Sequence, residues 1–317
     1  KAREINKFHN TFLSSIMKYQ VKGRIHAEIN QLRSDNGGTV SGRLSMSNPN
    51  LQQVPARNKE FGPMIRSLFV PEEGHKWGSF DYSQQEPRMT VHYAASIGNG
   101  YEGSSELVEA YHKASTDFHQ TVADLVGIER VQAKTIGLGL MYGMGKNKLA
   151  TSLGVSKEEA TVLISKYNRK VPFVKMLSDR CMQTANDKGV IRTKKGRKCR
   201  FDMWEPKDFG LYTAETFDNA VAKYGRENIK RAYTYKALNR LIQGSSADQT
   251  KQAMLSCYEA GHLPILQIHD ELCFNISKTN KKTEVREIKK IMESCIEFKL
   301  PFVVDVKTGG SWGTAHD

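Results

Sequence analysis

The chain has 317 residues, 39% hydrophobic and 26% charged, enough apolar material for two ordinary domains or one multi-lobed catalytic unit. Its net charge of +13 favours a polyanionic partner, nucleic acid first. The five cysteines are odd in number with no close pair, which excludes a disulfide framework and a zinc knuckle and indicates a reducing, cytoplasmic setting; no apolar run approaches the roughly 18 residues of a membrane span.

Residues 1–22 carry Ile5, Phe8, Phe12, Leu13, Ile16 and Met17 at helical spacing and read as one amphipathic helix leading into strands. The chain begins at Lys1 rather than Met, which reads as a fragment or a processed product. Residues 23–80, punctuated by Gly37, Gly42, Pro49, Pro55 and Pro71 among others, predict short strands and turns. From Glu86 to Lys170 the pattern is mainly helical, interrupted by an exposed loop over 96–105. Residues 171–232 hold a basic, strand-like patch over 192–200 and an aromatic, mixed-charge insertion ending at Arg231, to which the sequence assigns no role. A helix is expected over 233–259, then a hairpin at Asp270 and Glu271, a helix over 283–298 and a last strand near 303–306.

Chemistry concentrates at three places. The runs Trp77-Gly78-Ser79-Phe80-Asp81 and Ile265-Leu266-Gln267-Ile268-His269-Asp270-Glu271 each end a short apolar strand in carboxylate, a placement that suits a divalent metal. Between them Arg130, Lys134, Leu138 and Tyr142 recur at four-residue steps along one helix face. Acidic strand ends with a basic helix fit metal-assisted phosphate chemistry. From the residues alone other readings stay open: unrelated strand-end acids, a solvated Arg130–Lys134 face, and a core role for Tyr142.

In their order these motifs resemble the catalytic region of family A DNA polymerases, the DNA polymerase I family, in wording closer to bacteriophage members. The resemblance runs from Lys22 to the C terminus. It takes in Thr39-Val40-Ser41-Gly42-Arg43-Leu44-Ser45 and Asn48-Pro49-Asn50-Leu51-Gln52-Gln53-Val54-Pro55, then motif A over 81–88, motif B over 130–143, the run 239–248, and motif C over 267–271. It implies an α+β polymerase right hand: an antiparallel palm sheet, an inserted helical fingers subdomain and only a stub of the thumb. The implied division is a thumb-end helix over 1–22, palm over 23–85, fingers over 86–232 and palm again over 233–317. The implied reaction is DNA-templated transfer of a nucleotide from a dNTP to a primer 3′-hydroxyl, with two Mg²⁺ ions for which Mn²⁺ can substitute.

The same resemblance implies the roles of individual residues. Asp81 and Asp270 hold both ions with the Tyr82 carbonyl, and Glu271 and Lys134 join them as catalytic groups. Arg130, Lys134 and His119 contact the triphosphate, Tyr142 stacks near the templating base, and Glu86 lies beneath the sugar and disfavours a 2′-hydroxyl. Gln84 and Leu138 complete the nucleotide site. Arg24, Arg43, Asn239, Gln243 and His269 grip primer and template, where every correct pair offers minor-groove acceptors at equivalent places. The run Lys194, Lys195, Arg197, Lys198 and Arg200 reads equally as a phosphate grip and as a solvated loop.

Departures from the family pattern are Leu138, where many relatives have Phe or Tyr, so that dideoxynucleotide selection is left open, together with Gln85, Pro87 and Tyr235. The thumb helices and a 3′-to-5′ exonuclease region are not recognisable. The implied partners are therefore primer-template DNA, dNTPs and a missing N-terminal thumb or exonuclease segment or a processivity factor, with no membrane, in the cytoplasm of the host cell if the chain is phage-encoded. Two rival readings remain: a catalytically silent, primer-template-binding half of a split polymerase, and a single-subunit RNA polymerase, which would lack the Glu86 gate.

Overall fold

The structure, a computed structural model, describes every residue except Lys1, Asp35, Asn36, Ala56, Arg57, Lys59, Ala114, Ser115, Phe209, His316 and Asp317, and the side chains of Glu4 and Lys7. Two compact units emerge: residues 1–85, 246–297 and 302–317 form the first, and residues 86–245 and 298–301 the second.

The first unit is organised by a four-stranded antiparallel sheet of β1 (His75–Tyr82), β2 (Pro264–Ile268), β3 (Glu271–Ser277) and β4 (Val304–Gly309), in the order β2-β3-β1-β4. Directly paired residues point to the same side of a sheet. Trp77, Ser79 and Asp81 therefore share a face with Asn275, Cys273 and Glu271 on one side and with Gly309, Lys307 and Asp305 on the other. From that face Trp77, Cys273, Leu266 and Ile268, together with Trp312, pack with Ile16, Met46, Leu51, Val54 and Ile65, and the two tryptophan rings stack at 6.0 Å.

The opposite face buries Phe80, Tyr82, Leu272, Phe274 and Val304, each worth about 1.5–3 kcal/mol on full burial. The helix Lys281–Ser294, with Ile288 and Met292 buried, contacts β3 and β4, and the Tyr82 hydroxyl donates to the Met292 carbonyl at 2.6 Å. Gly78 also lies on this face, where a Cβ would come within 2.6 Å of Ile276 Cγ1.

The single helix expected over 1–22 ends earlier. Ala2–Phe8 is α-helical, His9–Ser14 is a π-helix and Ser15–Met17 is a last α turn, after which Gln20–Val21 pairs with Arg24–Ile25. Lys22 and Gly23, at φ 50° and 80°, form the two-residue turn of that hairpin, a conformation that no helix continues through.

In the second unit the helices after Glu86 pack around Phe118, Ile136, Leu149, Tyr167, Phe173 and Leu177, all buried. Gly137 lets the buried Tyr167 approach, since a Cβ there would lie 3.1 Å from its hydroxyl oxygen. The stretch 172–188, unassigned from sequence, is a 17-residue helix. Pro172 occupies its first turn, Gly189 closes it at φ 65°, and Phe173, Val174, Leu177, Cys181 and Ala185 form its buried stripe. The basic patch is the hairpin Val190–Arg192 with Lys198–Arg200, and the insertion pairs Trp204–Pro206 with Ile229–Arg231 beside a helix at Phe217–Tyr224. The long helix Ala237–Glu259 starts in this unit and belongs to the first from Ser246. The expected helix over 283–298 spans Lys281–Ser294. Among the described residues no helix is long and apolar enough to cross a membrane, and the five cysteines are free thiols.

Candidate active site

Strand pairing builds a carboxylate corner in the first unit. Asp81, one residue from the end of β1, pairs directly with Glu271 at the start of β3 and, across the other edge, with Asp305 of β4. Three carboxylates thus lie in a row on one face of adjacent strands. Asp270 sits in the two-residue turn that joins β2 to β3, and its carbonyl accepts from the Tyr82 N–H at 3.4 Å. The other turn residue, His269, has φ 55°, and Gln84, just beyond β1, has φ 53°. Each non-glycine left-handed residue costs about 1–2 kcal/mol, so surrounding contacts must hold it. They do: the Gln267 amide donates to the His269 carbonyl and accepts from Gln52 Nε2 at 3.0 Å. Buried Gln85 ties the chain after β1 to the long helix, donating to Gln249 Oε1 at 3.1 Å and to the Ser246 carbonyl at 3.3 Å.

The corner is electrostatically strained. Asp81 is an exposed residue, yet its carboxyl is pushed up to about 8, first by loss of hydration and then by Asp270, Glu271 and Asp305, with Lys307 opposing. Glu271 has a cationic neighbour in the buried Arg66, whose guanidinium lies 4.4 Å from the Trp312 ring centroid. The donors here are all hard oxygens, which fits Mg²⁺ or Mn²⁺ better than zinc. Among the described residues no group of three or more His, Cys, Asp and Glu side chains closes into a cage, so an ion at this corner would draw further ligands from water or substrate oxygens, as Mg²⁺ commonly does.

The second unit carries a cationic cluster on α1 (Phe118–Val126) and α2 (Arg130–Met141). Asp117 caps α1: its Oδ1 accepts from the backbone N–H of His119 at 2.9 Å and of Gln120 at 3.1 Å. Its Oδ2 accepts from Arg130 Nε at 2.8 Å and Nη2 at 2.6 Å. Arg130 opens α2 behind a capping box of Glu129 and Gln132, and Lys134, one turn on, is exposed. His119 is buried and its imidazole is lowered to about 4, first by burial, with Asp117 opposing and Lys134 and Arg130 adding to the shift. It is therefore a neutral hydrogen-bonding group at neutral pH rather than a third cation. Its Nδ1 is buried with no hydrogen bond among the described residues.

At the far end of α2 the Tyr142 hydroxyl donates to the buried Glu86 carboxylate, which fixes both side chains. Thr90 Oγ1 contacts the Glu86 carbonyl at 2.9 Å and Met141 Sδ at 3.0 Å, and Leu138 is half-buried between these two ends.

The remaining sequence candidates lie as follows. In the first unit, Arg43 and His269 line one small cleft with Gln267, Thr250 and Lys251, while Arg24 is exposed and paired with Glu72 at 2.6 Å. In the second, Asn239 and Gln243 are half-buried one turn apart on the long helix. Within the basic patch Arg197 donates to the Gly244 carbonyl at 2.7 Å and so has a structural task, whereas Lys194, Lys195, Lys198 and Arg200 are exposed. Sequence reasoning did not single out Asp117, Asp305, Lys307 or Gln267 as site groups. A carboxylate two residues before His119 at a helix start was a legible capping signal for Asp117, and period-two alternation in the last strand was one for Asp305.

The family model for DNA polymerase family A matches residues 1–314. The chain is 40% identical to a DNA-directed DNA polymerase of Pseudomonas phage M6, over 99% of this chain and 50% of that protein. It is 30% identical to the thermostable DNA polymerase I of Thermus thermophilus, over 99% of this chain and 36% of that protein. A solved structure of the POL domain of Pol1 from M. smegmatis, in complex with DNA primer-template and dNTP, is similar at a TM-score of 0.80 and 29% identity, covering 99% of this chain and 53% of that one. The chain spans about half or less of the length of the curated relatives it matches.

Proposed function

The chain belongs to DNA polymerase family A, and from that premise we propose that it extends a DNA primer on a DNA template, joining the primer 3′-hydroxyl to the α-phosphate of a dNTP with release of pyrophosphate. The observation that carries the reading is the direct pairing of Asp81 with Glu271, which sets Asp81 beside Asp270 although 189 positions separate them in the chain (270 − 81). Asp81, Asp270 and the Tyr82 carbonyl are the groups that would hold two Mg²⁺ ions, or Mn²⁺ in their place. Such ions lower the pKa of the attacking hydroxyl and neutralise charge on the transferred phosphate. Glu271, balanced by Arg66, and Asp305 adjust the charge of the corner.

On the second unit Arg130, Lys134 and neutral His119 receive the triphosphate, the cations offsetting the charge that builds on the leaving group. Glu86, held by the Tyr142 hydroxyl, fills the space beneath the sugar and favours deoxynucleotides. Tyr142 presents its ring to the templating base, with Gln84 and Leu138 beside the nucleotide. Arg24, Arg43, Asn239, Gln243 and His269 contact primer and template. A thumb or exonuclease segment, or a processivity factor, would supply further grip on DNA, and the protein works in the cytoplasm of its host cell.

The test is extension of a labelled primer-template with Mg²⁺ and either deoxynucleotides or ribonucleotides, for the protein and its Asp81→Ala and Asp270→Ala forms. The reading expects growth with deoxynucleotides alone, lost in both variants. Tight primer-template binding without growth would instead establish a binding-only half, and growth with ribonucleotides an RNA polymerase.

A further inference from the structure

Asp117 divides its two carboxylate oxygens between two helices. Oδ1 caps α1 and orders the turn that carries His119, while Oδ2 takes both Nε and Nη2 of Arg130, the first residue of α2. One carboxylate thus links the three groups read as receiving a triphosphate, since Lys134 follows Arg130 by one turn. The ion pair is too exposed to contribute much to stability, the Arg130 and Asp117 side chains keeping 45% and 33% of their accessible surface. Its value is geometric. A guanidinium is a rigid planar fork, so seating its Nε edge fixes where the opposite edge points, and among the described residues no hydrogen bond engages Nη1. Burial alone would raise the Asp117 carboxyl, but Arg130 and the amides of Gln120 and His119 hold it below its ordinary value, so it is ionised at neutral pH.

We propose that Asp117 is a positioning residue for the nucleoside triphosphate, holding Arg130 and the His119-bearing turn in place so that the phosphates meet a fork already formed. The inference rests on the reading of Arg130 as a triphosphate ligand. A pre-seated cation spares the ligand the ordering of a long side chain, and that saving appears as affinity. The negative charge of Asp117 opposes the gain, so the sign of the effect is itself informative.

The experiment measures the dissociation constant of the cognate dNTP for the protein bound to a dideoxy-terminated primer-template, where chemistry cannot proceed, in a cycle of Asp117→Asn, Arg130→Ala and the double variant. Asparagine caps a helix as well as aspartate does, so the melting temperature of Asp117→Asn should stay unchanged. Should it fall, Asp117→Ser, another good cap but too short for Arg130, takes its place in the cycle. Arg130→Ala is expected to weaken dNTP binding about thirtyfold and Asp117→Asn about tenfold, while adding Asp117→Asn to Arg130→Ala changes it less than about twofold, because the two act as one unit. With an extendable primer the dNTP KM of Asp117→Asn should rise by a similar factor with kcat nearly constant. Unchanged or tighter dNTP binding in Asp117→Asn, or an equal loss in both backgrounds, overturns the proposal while leaving the Arg130 reading in place. No loss in Arg130→Ala overturns both.

Discussion

At the end of β1 three acidic side chains crowd Asp81 with Lys307 opposing them, whereas on α1 and α2 Asp117 already pairs with Arg130 and two backbone amides. The first arrangement comes from long-range strand pairing and leaves like charges facing one another. The second is built from helix caps and four-residue spacing, and its Arg130 charge is answered by Asp117 within the unit. The contrast teaches that the carboxylate corner is held at a cost that a bound cation would relieve, while Arg130 and the turn that carries His119 are seated before any ligand arrives.

The sharpest break in this contrast comes from Asp270→Ala or Asp81→Ala, each expected to lower the primer-extension rate about a thousandfold or more, since a metal ligand supplies several kcal/mol of transition-state stabilisation. Losses no larger than those on the helix side would show that the corner has no special place. Lys134→Ala should lower kcat/KM about a hundredfold in the same assay, with primer-template affinity nearly unchanged. Glu86→Ala should cost less in rate but narrow the preference for deoxynucleotides over ribonucleotides by about tenfold, read from the ratio of the two kcat/KM values.

The smallest effects concern stability, and there the two regions should respond to pH in opposite senses. Asp81 has its folded pKa raised, so its contribution is fully present below the ordinary carboxylate value and is lost as pH rises through about 8. The metal-free protein with Asp81→Asn should accordingly melt a few degrees higher at pH 8, at roughly 2–4 °C per kcal/mol, and gain little at pH 4. His119 and His92, both lowered to about 4 with burial as the leading cause, act the other way: the unfolded chain takes up protons first, so stability falls as pH drops from about 6.5 towards 4. A His119→Gln variant should show a shallower loss over that interval in thermal melts.

What could be read from sequence divides along the same line. The spacing of Arg130, Lys134, Leu138 and Tyr142 announced a helical face because helix contacts are local, and the apolar strands ending in Asp81 and Asp270 were visible as patterns. That these two ends lie side by side was not in any periodicity, because register between strands so far apart in the chain is set by the packing of Trp77, Cys273 and Trp312; only the family resemblance supplied it. The helix Pro172–Lys188 escaped because its apolar stripe is interleaved with Lys175, Asp179, Arg180 and Gln183, although Pro172 and Gly189 mark its ends. Gln85 looked like a departure from the family pattern and is instead a buried amide that ties the end of β1 to the long helix, a role only tertiary contact reveals.

The most direct test of the strained carboxylate corner is calorimetric titration of Mn²⁺ into the protein at pH 7 in two buffers of different ionisation enthalpy, with Asp81→Asn as the control. Burial and the neighbouring carboxylates raise Asp81 to about 8, so a proton on it would have to leave for a cation to bind, and the account predicts proton release approaching one per chain on metal binding, absent in Asp81→Asn. Metal binding without proton release, or release that survives Asp81→Asn, would contradict it.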